Sequence, residues 1–142
     1  MCSSDLDEVH FGERMRELDE VTRRRARHVI GENARTERAA DAMRAGNAAA
    51  LGALLNESHV SLRDDFEVSS EALDAMVGCA QSHGGCYGAR VTGAGFGGCA
   101  VALVDAERVD EFVEETARAY RAQTQNDPSV YVCRSTDGAE LL

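Results

Sequence analysis

Between Gly12 and Ala45 apolar residues fall at Met15, Leu18, Val21, Ala26, Val29, Ile30, Ala34, Ala40 and Met43, steps that follow a helical face and predict one long helix or two. Asp19 and Glu20 stand four residues before Arg23 and Arg24, the favourable acid-then-base order for i,i+4 pairs on the exposed side. Gly46-Asn47 closes this run. A second helix is expected from Ala48 to near Arg63, with Leu51, Leu54, Leu55, Ser58 and Leu62 on one face. A third follows Ser69 or Ser70 as N-cap, with Glu71 in its first turn and Leu73, Met76, Val77 and Ala80 on a shared stripe.

The character changes at Gly84-Gly85. Two short apolar segments, Cys86 to Thr92 and Cys99 to Val104, flank a glycine-dense stretch and predict strand, loop, strand. A fourth helix from about Glu107 to Ala122 carries Val109, Phe112, Val113, Thr116, Ala117 and Tyr120 on one face. The turn Gln125-Asn126-Asp127-Pro128 then leads to a last predicted strand, Val130 to Cys133. Three helices followed by β-loop-β-α-β define an α+β domain: a small, mainly antiparallel sheet with helices packed on one side, spanning residues 1–142 as one unit.

Composition narrows the classes of function. A length of 142 residues at 44% hydrophobic is enough for a real core. A net charge of −10, from 25 acids against 15 bases, opposes general affinity for nucleic acid or for an anionic membrane surface. All the basic residues are arginine, so neither a Schiff-base lysine nor a P-loop lysine can supply chemistry. The residues from Met1 to Glu8 form neither a basic nor an apolar targeting region, and cytoplasmic placement is the expectation. Cysteines at 2, 79, 86, 99 and 133 include no CxxC pair, which suggests reduced thiols. Cys99 and Cys133, inside apolar segments, are expected to be protected.

The most informative stretch is Thr92-Gly93-Ala94-Gly95-Phe96-Gly97-Gly98. Four glycines in six residues let backbone approach something closely, and successive N–H groups can form an anion-binding nest. The stretch is neither a Walker A loop nor a Rossmann fingerprint, and by itself it fits a tight connection as well as a ligand loop. Elsewhere the bland readings prevail. Arg23 to Arg27 reads as a solvated or interdomain helix face, and His28 and His59 as packing histidines. Asp64, Asp65 and Glu67 read as turn and cap residues rather than metal ligands, and Arg90 has no assignable role.

Three segments carry a resemblance. Arg24-Arg25-Ala26-Arg27-His28-Val29-Ile30, then Asn56 to Ser69, then Tyr87 to Cys99 resemble, in order and spacing, the C-terminal half of the galactokinase family, within the GHMP superfamily of small-molecule kinases. The likeness continues through Val130 to Cys133 and Asp137-Gly138-Ala139. It implies a ferredoxin-like GHMP kinase C-terminal domain, part of a two-domain enzyme that moves the γ-phosphoryl group of MgATP to the anomeric hydroxyl of galactose. Thr92, Gly93, Ala94, Gly95, Phe96, Gly97 and Gly98 would then face the phosphates. The catalytic aspartate, the metal-binding glutamate and the main phosphate loop would belong to an N-terminal partner domain, so the chain alone is expected to bind no ATP or magnesium and to be inactive. Another sugar kinase of the superfamily, or a free-standing sensing or interaction module with this fold, are the alternatives. Val91 stands where the family usually has methionine and Ala94 where glycine is common, and the capping box is lost at Ser69-Ser70-Glu71-Ala72.

Overall fold

The computed structural model describes residues 8–93 and 95–135. The predicted first run divides into α1 (Glu8–Arg14), one 3-10 turn (Met15–Glu17) and the 25-residue α2 (Glu20–Arg44). The break is made by Asp19, which acts as an N-cap rather than as an i,i+4 partner. Its carboxylate accepts from the Thr22 N–H at 3.0 Å and from the Thr22 hydroxyl at 2.6 Å. Arg23 turns back instead to donate to the Met15 and Leu18 carbonyls at 2.9 and 2.8 Å. Gly46 takes a left-handed φ of 63°, and the Asn47 side chain caps α3 (Ala48–Asp64) by accepting from the Ala50 N–H.

Helix α4 (Glu71–Gln81) starts from Ser70, whose hydroxyl accepts from the Leu73 N–H. Strands β1 (Cys86–Thr92) and β2 (Cys99–Val104) form an antiparallel hairpin with Ala89 opposite Ala102 and Val91 opposite Ala100. Helix α5 (Val109–Thr124) follows a 3-10 turn at Ala106–Arg108. Val77 and Ala80 of α4, Ala89 of β1 and Phe112 of α5 make the buried core, with Ala100, Ala102, Val104 and Val113 packed around them. This is the α+β architecture that the pattern implied, with the sheet antiparallel.

Helix α3 covers β1 by a different means. The Cα of Gly52 lies so close to β1 that a Cβ there would collide with the Tyr87 carbonyl, and a Cβ on Gly88 would collide with the backbone of Gly52. Where the backbones meet, the strand's outward peptide groups are met by side chains. Asn56 Oδ1 accepts from the Ala89 N–H at 2.9 Å, and Gln81 Nε2 donates to the Ala89 carbonyl at 3.2 Å and to Asn56 Oδ1 at 2.7 Å. At Ala89 the outward donor and acceptor of the β1 edge are thereby satisfied by side chains rather than by another strand.

The predicted last strand does not form. Val130 to Cys133 has no ladder partner among the described residues, and Tyr131 is 83% exposed. Its alternation suits a strand, but strand formation requires a neighbouring edge, which local pattern cannot supply. The thiol expectation fails with it: both Cys99, at the start of β2, and Cys133 are exposed. Cys2 and Asp137-Gly138-Ala139 lie outside the described residues.

Candidate functional site

The glycine stretch is the hairpin connection between Thr92, paired with Cys99, and β2. Its conformation is built from left-handed residues: Gly93 at φ 75°, Gly95 at 72°, Phe96 at 50° and Gly97 at 122°. Glycine is required at 93, 95 and 97 because a Cβ strains such backbone, and Phe96 carries that strain openly. Ala94 lies outside the described residues.

Gly95 is buried, and a Cβ there would overlap the Val68 carbonyl oxygen. That same oxygen accepts the Phe96 N–H at 2.8 Å, while the Gly98 N–H is donated to the Gly95 carbonyl at 3.0 Å. Two amides of the supposed nest are thus already engaged inside the chain. The Gly97 N–H has no partner among the described residues, and Gly97 sits in open space. Phe96 is 72% exposed beside it. The loop therefore presents a small, left-handed backbone surface anchored from beneath by the Val68 carbonyl.

Other singled-out residues do not converge on this loop. Arg90 donates to Ser58 Oγ at 2.8 Å and pairs with Glu32 at 3.2 Å, and Glu32 also holds Arg35 at 2.5 Å and accepts from Ser58 at 2.8 Å. Burial works to raise the Glu32 carboxyl, yet the hydrogen bonds from Arg35 and Ser58 outweigh it and leave its pKa below the ordinary value. His28 is buried, with Nδ1 3.0 Å from Ser61 Oγ and its ring stacked on Phe66 at 4.4 Å. His59 is buried with Nε2 3.3 Å from Asp74. Burial lowers both histidine pKa values, which favours the neutral ring. Asp65 pairs with Arg27 at 2.9 Å, and Glu67 with Arg24 and Arg25 at 2.7 and 2.5 Å. These acids are satisfied by guanidiniums, a donor set that does not suit a resident magnesium ion.

His83, Glu111 and Glu115 form a cluster that the sequence did not single out, because the turn residue and the helix residues are far apart along the chain. His83 Nε2 is buried, 3.6 Å from Glu115 and 3.9 Å from Glu111. Its Nδ1 accepts the Gly85 N–H at 3.0 Å, so the neutral ring carries its proton on Nε2 and points a donor, not a lone pair, at the carboxylates. Arg108 and Arg118 already pair with Glu111 and Glu115. The cluster is thus a close approach of the α4–β1 turn to two carboxylates of α5 that arginines already pair, with no hydrogen bond closed to His83 Nε2.

An α+β domain whose hairpin carries a strained glycine connection, with helices closing both the core face and the strand edge, has counterparts among known proteins. The family model for the C-terminal region of GHMP kinases matches residues 39–122, more than half of the chain, and the chain belongs to that family. Its relatives are galactokinases. The chain is 48% identical over 134 residues to the galactokinase of Roseiflexus sp., covering 94% of this chain and 34% of that protein. It is 42% identical over 140 residues to that of Clostridium acetobutylicum, covering 97% and 36%. The crystal structure of Lactococcus lactis galactokinase complexed with galactose matches with a TM-score of 0.85 at 41% identity, over 89% of this chain and 33% of that one. The chain therefore resembles the galactokinase C-terminal domain and spans about a third of the length of the relatives it matches. Among the described residues no helix is long and apolar enough to cross a membrane.

Proposed function

We propose that this chain is the C-terminal domain of a galactokinase, an ATP-dependent sugar 1-kinase that transfers the γ-phosphoryl group of MgATP to the anomeric hydroxyl of galactose. The likeness to galactokinases along nearly the whole chain carries this reading, because it includes the segments on either side of the glycine loop as well as the loop itself. Phosphoryl transfer depends mostly on positioning and on stabilising charge at the transferring group. The residues Thr92, Gly93, Ala94, Gly95, Phe96, Gly97 and Gly98 would contribute to that without a reactive side chain. Gly97, at a φ of 122° with open space beside it, would let a ligand phosphoryl group come close to the loop backbone.

On this reading ATP, magnesium and galactose are held mainly by an N-terminal partner domain. The catalytic base and the magnesium ligands belong there, since the acids nearest the loop's anchor are bound by arginines. The test is a chimera in which this chain replaces the matching third of the Clostridium acetobutylicum enzyme. Galactose phosphorylation should be retained by the chimera and absent from the 142-residue chain alone. Turnover by the chain alone, or a well-folded chimera without kinase activity, would overturn the proposal. A chimera that is active only on another sugar would move it to a different kinase of the superfamily.

A further inference from the structure

The glycine loop is tied to the α3–α4 turn through the Val68 carbonyl, and that turn is braced by arginines of α2. Residues 65–70 connect α3 to α4; among them Phe66, whose ring stacks on His28, and Val68 are half-buried. The turn is also laced to α2 by charge. Arg24 Nη1 donates to Glu67 Oε1 at 2.7 Å and to the Asp64 carbonyl at 3.3 Å. Arg25 Nη2 donates to Glu67 Oε2 and Nη1 to the Asp65 carbonyl, both at 2.5 Å, and Arg27 reaches Asp65 Oδ1 at 2.9 Å. The Val68 N–H closes the turn on the Leu62 carbonyl at 3.0 Å.

Glu67 is the unusual member. Its φ of 58° is a backbone setting that favours glycine or asparagine, yet a glutamate occupies it, and each of its two oxygens is taken by a different arginine. One residue further on, the Val68 carbonyl fixes Phe96 and abuts Gly95. The Phe96 ring is exposed, and the hydrogen bond from its N–H to the Val68 carbonyl ties its left-handed backbone to the α3–α4 turn.

We propose that Glu67 is a positioning residue: bridging Arg24 and Arg25, it fixes the Val68 carbonyl and through it the conformation of the glycine loop. This rests on the reading of the loop as part of a phosphoryl-transfer site. The bridge is half exposed on the Glu67 side, so its weight in global stability is small, and positioning can be separated from folding.

The experiment uses the 142-residue chain with Glu67→Gln, which removes the charge, and Glu67→Asn, which suits the left-handed backbone but is too short to bridge. Amide hydrogen exchange is read by NMR at Phe96, with Ala89 and Val91 of β1 as internal references. Both variants should speed exchange at Phe96 by about tenfold and leave the references unchanged. Salt near 1 M should loosen Phe96 in the parent chain, by screening the bridge, and add nothing in Glu67→Gln. Unchanged protection of Phe96 in both variants overturns the proposal, as does equal loosening of Ala89 and Val91. In the chimera with the Clostridium acetobutylicum enzyme, Glu67→Gln should lower kcat at an unchanged KM for galactose. A loosened Phe96 with undiminished turnover would uphold the tether and remove the loop from the reaction, so the two failures are distinguishable.

Discussion

Two halves of this molecule are held by different forces. On one side α4, α5 and the inner face of the hairpin pack Val77, Ala80, Ala89 and Phe112 against one another. On the other, α2 and the α3–α4 turn meet through Arg24, Arg25, Arg27, Asp65 and Glu67, with the Glu32, Ser58 and Arg90 network alongside. Apolar packing is strong and tolerant of direction, whereas charged hydrogen bonds are weak in net energy but specific in geometry. The strained loop takes its anchor from the second kind of contact. A stable scaffold and a precisely set backbone surface are thus supplied by different regions, and perturbations should separate them.

The largest effect belongs to the apolar half. Phe112→Ala removes the ring that joins α5 to the core and should cost about 3–5 kcal/mol in urea denaturation. A loss below about 1 kcal/mol would show that the α5 contact does not carry the fold.

Next comes the loop, where two glycines differ in kind. Gly95→Val meets the Val68 carbonyl as well as an unfavourable φ, so it disturbs the anchor, whereas Gly97→Val meets only open space and the φ of 122°. Gly97→Val should cost about 1–3 kcal/mol of backbone strain and keep the fold. In the chimera its turnover should fall about a hundredfold. A Gly97→Val chimera with full turnover would mark the loop as a connection only.

Acid should weaken the polar half before it touches apolar packing. His28 and His59 have pKa values lowered by burial, so as pH falls through about 6.5 the unfolded chain takes up protons that the folded chain refuses, and stability drops. Glu32 acts in the same direction further down: its depressed pKa contributes stability above the ordinary carboxylate value, and this is lost as pH falls through the folded value. The urea midpoint should be lower at about pH 5.5 than at about pH 7.5, and a His28→Gln, His59→Gln double variant should flatten that slope. An unaltered slope in the double variant would assign the pH dependence to other groups.

The smallest effect leaves stability untouched. Cys99 and Cys133 should react with a water-soluble maleimide in the native state ahead of Cys79 and Cys86, which are partly buried and whose thiols are pushed up in pKa by that burial. Mass spectrometry of a labelling time course gives the order. Labelling of Cys86 as fast as Cys99 would mean that the hairpin end of the apolar half opens readily.

Local pattern was sufficient wherever one face decided the structure. Helices α3, α4 and α5 and both strands lie within a few residues of where their periodicity places them, because burying a stripe of apolar side chains needs no knowledge of which partner will cover it. The glycine spacing likewise marked the hairpin connection, since left-handed backbone admits little else. Val130 to Cys133 shows the limit, for a strand is completed by its neighbour and the described chain offers none. The charges show it more sharply. Asp19 and Glu20 suggested local pairs with Arg23 and Arg24, but Asp19 became a cap and Arg24 crossed to Glu67, 43 residues away. A sequence records which side chains can form hydrogen bonds; only the packing of α2 against α3 brings Arg24 and Arg25 within reach of one carboxylate. The anchoring of Phe96 by Val68 was decided at that same level, because a backbone carbonyl carries no residue identity for a sequence to display.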